Sequence, residues 1–353
     1  MNRSVSRRTA LAAVIAGAAA AGLPHASALA SDRRVAAEES SSASTAYRYS
    51  VNLESWAHPW VSDPKAAHLA NLPSYVGTVV LCFMQPDAQY TRGSYSFQGT
   101  GVQFSFDGTV VRDAVSLLRE RNPGVEVLVS VGGATYHNWA GLNVRAIADF
   151  VRDFGLDGVE VCYEPSGPGC VPSGGGYTCR TDAEYTSIVK EFSKALPTGS
   201  TLAVAAFHVG AYGEGAWANS QPVSAYTGIS LGLLRSDAAS AITRLNVMAY
   251  DASTVYNPKE ALAAYQHYFK GPVLLGVQIA PEAWPQEDSP YAHVLTLDEV
   301  KDLANEVKAR GAGGMSLWSL YKQPKSGTPS AREVSQTICD ALELGDSTQP
   351  WPW

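Results

Sequence analysis

The stretch GLDGVEVCYEP, from Gly155 to Pro165, places Asp157, Glu160, Cys162 and Glu164 inside a run that otherwise has the build of a buried strand. Carboxylates are costly to bury without partners, so their presence demands either chemistry or an internal network. Side chains two apart on a strand share a face, which turns Glu160, Cys162 and Glu164 one way and Val159, Val161 and Tyr163 the other. The acids can give or take protons. The thiol between them is a weak donor and a poor acceptor, and burial beside carboxylates raises its pKa and keeps it neutral. At strand spacing Glu160 and Glu164 lie about 13 Å apart and cannot flank one scissile bond. A second acid working with Glu164 must therefore come from another strand, and Asp251 and Glu54 are the candidates.

The elements that would position these residues follow a regular alternation. Apolar, β-branched runs predict strands at Tyr47–Trp56, Thr78–Gln85, Val125–Gly132, Gly158–Glu164, Thr201–His208, Arg244–Asp251, Pro272–Ala280 and Gly314–Leu320. Amphipathic runs predict helices at Thr109–Arg121, Asn143–Phe154, Asp182–Leu196, Leu233–Thr243, Pro258–Phe269, Leu297–Arg310 and Ala331–Leu344, with a weaker pattern near Lys65–Leu72. Even βα units argue for a single-domain (β/α)8 TIM barrel over an open doubly wound sheet. Chemistry in such a barrel gathers at the C-terminal strand ends. Those ends carry Asn52 and Glu54, Gln85 and Asp87, Gly132-Gly133, Glu164, His208, Tyr250-Asp251, Gln278 and Glu282, and Trp318. This polar and aromatic ring suits a sugar site. The segments 165–181 and 90–106, which follow two of the strands, are expected to wall it.

The run Asp157-Gly158-Val159-Glu160-Val161-Cys162-Tyr163-Glu164 resembles the D-G-x-D-x-D-x-E signature of glycoside hydrolase family 18. That family holds chitinases, endo-β-N-acetylglucosaminidases and non-catalytic relatives. Ser130-Val131-Gly132-Gly133 is similar to its S-x-G-G on the third strand, and Met248-Ala249-Tyr250-Asp251 to its M-x-Y-D on the sixth. Trp318 falls where the family has a tryptophan flooring the sugar pocket. The resemblance covers about residues 47–345 and implies that Glu164 protonates the glycosidic oxygen and that Tyr250 and Asp251 contact the 2-acetamido group, which serves as the nucleophile. Two positions depart from the pattern. Glu160 stands for the second Asp and Cys162 for the third, the one that holds and charge-stabilises the acetamido group. A thiol cannot supply that charge.

The candidate catalytic set is thus Glu164, Tyr250, Asp251, Cys162, Asp157 and Glu160, and the candidate ligand-binding set is Trp318, Gln278, Glu54 and Gln85. Within it, Asp157 either joins the site or caps the strand entrance, and Glu160 is expected to anchor an internal network. Three functional readings stay open. One is a glycosidase-like enzyme with Glu164 as acid/base that is not an ordinary chitinase. Another is a non-catalytic, lectin-like barrel. The third is a barrel turned to acid–base chemistry on a non-sugar molecule.

The remaining chain bounds location and partners. Residues 1–30 combine Arg3, Arg7 and Arg8 with an apolar run from Leu11 to Leu23 and Ala26-Ser27-Ala28, and contain no acid. That is the pattern of a cleaved export signal. Arg7-Arg8 after Ser6 is similar to a twin-arginine signal, with a plain secretory signal as the alternative. Residues 31–46 read as a disordered Ser/Ala-rich spacer, 47–345 as the barrel, and 346–353 as a tail. The chain has 26 basic and 33 acidic side chains; losing the three arginines and no acid leaves a net charge of −10. An acidic, exported monomer argues against nucleic acid or an anionic membrane as partner and leaves a carbohydrate or other small molecule. Cys170 and Cys179 bracket a Gly-rich loop and are the disulfide candidates, with Cys82, Cys162 and Cys339 free. His58, His137 and His208 lack metal-ligand spacing, and neither a metal nor a cofactor is expected.

Overall fold

The computed structural model describes residues 47–353; the expected export signal and spacer lie outside the described residues. Eight parallel strands close into a barrel. They are β1 (Arg48–Glu54), β2 (Thr78–Met84), β3 (Glu126–Gly132), β4 (Gly158–Cys162), β7 (Thr201–Phe207), β8 (Arg244–Met248), β9 (Val273–Gln278) and β10 (Gly314–Trp318). β5 (Val171–Ser173) and β6 (Gly176–Thr178) form a separate small hairpin. Each predicted strand is present; all but β3 are trimmed at the C-terminal end, where the chain turns out into the mouth, and β1, β3 and β9 each start one residue later than expected.

The helices are α1 (Gly108–Arg121), α2 (Val144–Asp153), α3 (Asp182–Ala195), α4 (Leu231–Arg235), α5 (Pro258–Tyr268), α6 (Leu297–Ala309) and α7 (Ala331–Leu342). Their starts follow ordinary capping chemistry. Asp107, Asn143, Asn257, Thr296 and Ser330 each accept a hydrogen bond from a first-turn amide, and Ser330 with Glu333 completes a capping box. The predicted helix Leu233–Thr243 is instead the short α4 followed by a 3-10 turn at Asp237–Ala241. Ser236 caps that turn through Ala238 N–H, taking the chain out of the first helix. The weak pattern near Lys65–Leu72 forms two 3-10 turns, Pro64–Ala66 and His68–Asn71, rather than a helix.

The unit between β1 and β2 therefore lacks a helical cover, and the C-terminal tail supplies one. Gln349 brackets Ser74, accepting from its N–H at 2.8 Å and donating to its Oγ at 2.9 Å. Trp351 is 6% exposed and donates from Nε1 to Tyr75 Oη at 3.0 Å. Trp353 packs on His68 and Tyr321. Trp351→Ala is expected to cost about 3–5 kcal/mol of stability, the usual range for emptying a buried aromatic site. A fall in the denaturant midpoint with unchanged slope would show it, and a loss under 1 kcal/mol would mean the tail is no part of the folding unit.

The main core lies between barrel and helices, where Val159, Val161 and Tyr163 point. Inside the barrel the apolar layer is small, made of Val80, Cys82, Leu128 and Ala203. Below it, Glu126 accepts from Arg244 at 2.6 Å, Arg48 at 2.9 Å and Thr201 at 2.8 Å. Burial alone would raise its carboxyl pKa, but the two guanidiniums hold it below the usual range. This cluster plugs the base, and the hollow is left at the top.

Candidate active site

That hollow is a cavity of about 600 Å³ at the C-terminal strand ends. It descends past Glu164 and Cys162 to Glu160 and Asn246 inside the barrel. Small neighbours make the room. In the sheet register Cys162 sits between Gly132 and Ala205. Gly132 has φ +103°, and a Cβ there would meet the Cys162 carbonyl at 2.3 Å, so only glycine fits.

Six of the expected residues line this cavity: Glu160, Cys162, Glu164, Tyr250, Asp251 and Trp318. Glu164 lies two residues past the end of β4. Burial, and then the charge of Asp251, raise its pKa, while the Cys162 thiol, donating to Glu164 Oε1 at 3.1 Å, works the other way. Burial first, and then Glu164 and Glu160, push the Cys162 thiol well up, so it stays protonated. Glu160 accepts from Ser130 Oγ at 3.0 Å and from Asn246 Nδ2. It is tied into an internal network, and burial raises its pKa. The Tyr250 hydroxyl has no partner among the described residues and is free to meet a ligand; burial raises its pKa well above the ordinary value.

Asp251 adopts a left-handed φ of +54°, which Asp tolerates better than most residues. The turn after β9 holds it there. Its N–H donates to Glu282 Oε2 at 2.6 Å, and its Oδ1 accepts from Ala283 N–H at 2.6 Å and Trp284 N–H at 3.2 Å. Burial still raises its pKa, and Glu282 adds to the rise. Glu282 in turn binds His293 Nδ1 at 2.7 Å, and His293 Nε2 meets Glu299 at 2.9 Å. These two carboxylates raise His293 to about 10. A folded-state pKa above the unfolded value near 6.5 stabilises the fold fully below pH 6.5, and that stabilisation is lost as pH rises towards 10. Thermal melts are expected to fall across that window in the natural protein and to fall less in His293→Gln. Parallel curves for the two would remove His293 from the clamp.

Four expected residues do not line the cavity. Asp157 stands at the far end of β4, where it pairs with Arg119 and accepts from Val127 N–H at 2.7 Å; it closes the strand entrance. Gln85 turns outward and donates to the Gly99 carbonyl at 3.1 Å. Glu54 is buried under Ser319 Oγ and Tyr321 N–H, pinning the turn after Trp318, so it is not a second acid facing the cavity. Gln278 supports Asp251 from behind, Nε2 to Oδ1 at 3.3 Å.

The walls also differ from expectation. They come from Pro222, Val223, Tyr226 and Trp284 rather than from segments 165–181 and 90–106. Tyr226 stacks on Phe207 with ring centroids 4.1 Å apart. Trp318 stacks on Phe83 at 5.4 Å, and Phe83 on the half-exposed Trp56 at 6.1 Å. Asn52, one of the expected strand-end residues, also lines the cavity, as do Asn246 and Ser316, which had no motif to announce them. Cys170 and Cys179 are joined by a disulfide, and Cys82, Cys162 and Cys339 are free and buried. Among the described residues no cluster of three or more His, Cys, Asp or Glu could hold a metal, and no helix is long and apolar enough to cross a membrane.

The acid Glu164, the pair Tyr250-Asp251 and the stacked Trp318 thus line one cavity at the mouth of a (β/α)8 barrel. Residues 60–284 match the family described as Glycosyl hydrolases family 18, and the chain belongs to that family. A chitinase of Plasmodium falciparum (isolate 3D7) is 44% identical over 59 residues, 16% of this chain and 15% of that protein. The fold is similar to that of a GH18 chitinase from Pseudoalteromonas aurantia, with TM-score 0.56 and 20% identity over 84% of this chain and 100% of the other. It is also similar to human YKL-39, described as a pseudo-chitinase with retained chitooligosaccharide binding, with TM-score 0.54 and 12% identity over 87% of this chain and 97% of that one.

Proposed function

We propose that this chain is an exported, glycoside hydrolase-like protein that takes a sugar into the barrel mouth, with Glu164 as general acid/base, and that it is not an ordinary chitinase. The observation that carries the reading is the thiol of Cys162 donating to Glu164 at 3.1 Å, where the family has a carboxylate. Glu164 is suited to proton donation, because burial and Asp251 raise its pKa. Tyr250 presents a free hydroxyl for a sugar amide, and Trp318 offers a face for a pyranose ring. What the site lacks is a negative charge under the acetamido group. A neutral thiol cannot stabilise the positive oxazolinium ion of the substrate-assisted route. It also favours the ionised form of Glu164, the wrong one for an acid.

A lectin-like role is the second reading. It is favoured by the same missing charge together with an intact aromatic cavity, and YKL-39 pairs such a fold with chitooligosaccharide binding. Parallel binding and hydrolysis assays with N-acetylglucosamine oligomers decide between the two. Slow turnover abolished by Glu164→Gln supports the enzyme. Binding without turnover supports the lectin, and neither binding nor turnover overturns both. Export is tested by following the full chain to the culture medium with Arg7-Arg8 intact and with both changed to Lys; retention of the intact chain in the cell would contradict it.

A further inference from the structure

His208 follows β7 at the cavity wall and takes no part in the chemistry above. It is 9% exposed. Among the described residues its ring makes no hydrogen bond; only its main-chain carbonyl is used, accepting from Tyr256 Oη at 3.4 Å. The ring packs edge-on against Tyr256 at 5.4 Å. Buried imidazoles ordinarily satisfy both nitrogens, so one left open on a cavity has a valence to offer. Burial lowers its pKa to about 4 and keeps it uncharged at neutrality. The strand order β4-β7-β8 places it between the strand that carries Glu164 and the strand that leads to Tyr250 and Asp251. Asn246 Oδ1, in the same cavity, is a buried polar atom without a partner.

We propose that His208 is a ligand-binding residue whose neutral imidazole exchanges hydrogen bonds with an uncharged hydroxyl or amide of the sugar ring held between Glu164 and Asp251. A neutral ring has one donor and one acceptor, which matches groups that both give and take. Carboxylates on the flanking strands repel an anionic sugar, so the class of ligand is an uncharged or N-acylated glycan. The proposal rests on the sugar-binding reading above and adds the residue that selects within it.

The test is calorimetric titration of the intact protein with a β-1,4-linked N-acetylglucosamine tetramer, beside Trp318→Ala, His208→Phe, His208→Asn and His208→Gln. His208→Phe keeps a ring in the wall and removes its hydrogen bonds. It is expected to raise Kd roughly 10- to 100-fold, the effect of leaving a ligand polar group unpaired. At least one of the two amide variants is expected to stay within about threefold of the natural protein, since an amide can replace one imidazole nitrogen. The ¹⁵N resonances of the His208 ring are expected to move on saturation, a readout that needs no variant to fold. If Trp318→Ala loses binding while His208→Phe does not and the ring resonances stay still, His208 is not a ligand contact although the sugar reading survives. If the natural protein does not bind the tetramer, both fall.

Discussion

Replacing Glu164 by glutamine is expected to reduce any hydrolysis by roughly 10²–10⁴-fold and to leave the fold intact. The amide keeps the shape of the acid and can still accept from the Cys162 thiol, so the packing at the mouth survives. What it cannot do is give a proton to a leaving oxygen. Glutamine also removes a buried carboxyl whose pKa burial and Asp251 raise, so stability near neutrality should stay level or increase slightly. Turnover on any glycan found to be a substrate, measured with a thermal melt on the same sample, checks both halves. Retained turnover would show that the proton comes from another group, and Asp251 would be the first to examine.

The second large effect concerns Cys162. The double change Cys162→Asp with Glu160→Asp restores the row of acids of the family pattern and is expected to raise hydrolysis of N-acetylglucosamine oligomers by roughly 10²–10⁴-fold over the natural protein. Space is available, since Gly132 and Ala205 flank Cys162 in the sheet. A carboxyl there would take the place of the thiol beside Glu164. Two acids so close share one proton, which leaves one neutral and able to donate and one charged and able to stabilise a cation. Glu160 is the part under tension, because Ser130 and Asn246 both bind its present length. Cys162→Asp alone should therefore give part of the gain at less cost in stability. Binding of the oligomer without any gain in rate would mean that the cavity walls, with Val223 and Trp284 on the rim, hold the sugar out of line with Glu164.

The barrel was legible because its strands are short apolar runs at even spacing, and because alternation alone turns Cys162 and Glu164 to one face. The acid, the tyrosine and the tryptophan could be found because strand ends are where such barrels do chemistry. Asp157 takes the strand-entrance role left open for it, paired with Arg119 at the opposite end of the strand from Glu164. What escaped has physical causes. Glu54 and Gln278 occupy strand ends but turn to hold Ser319 and Asp251 in place, an orientation that depends on partners distant in sequence. The same is true of the tail. Nothing in the sequence of residues 346–353 says that Trp351 covers a barrel unit lacking its helix; only the absence of a helix between β1 and β2 creates the demand. The cavity walls come from loops with no periodic pattern, and so Trp284, Pro222 and Tyr226 left no trace that the sequence could be read for.

The most direct test of the central claim is the rate at which the natural protein hydrolyses N-acetylglucosamine oligomers, measured alongside their binding. A family 18 barrel with a thiol in place of the stabilising carboxylate is expected to bind the oligomers and to turn them over below about 0.1 per second, at least about 10²-fold under the median of an ordinary range of roughly 1–10³ per second. Turnover within that ordinary range would contradict it, because it would show that a neutral Cys162 beside Glu164 does not limit the chemistry.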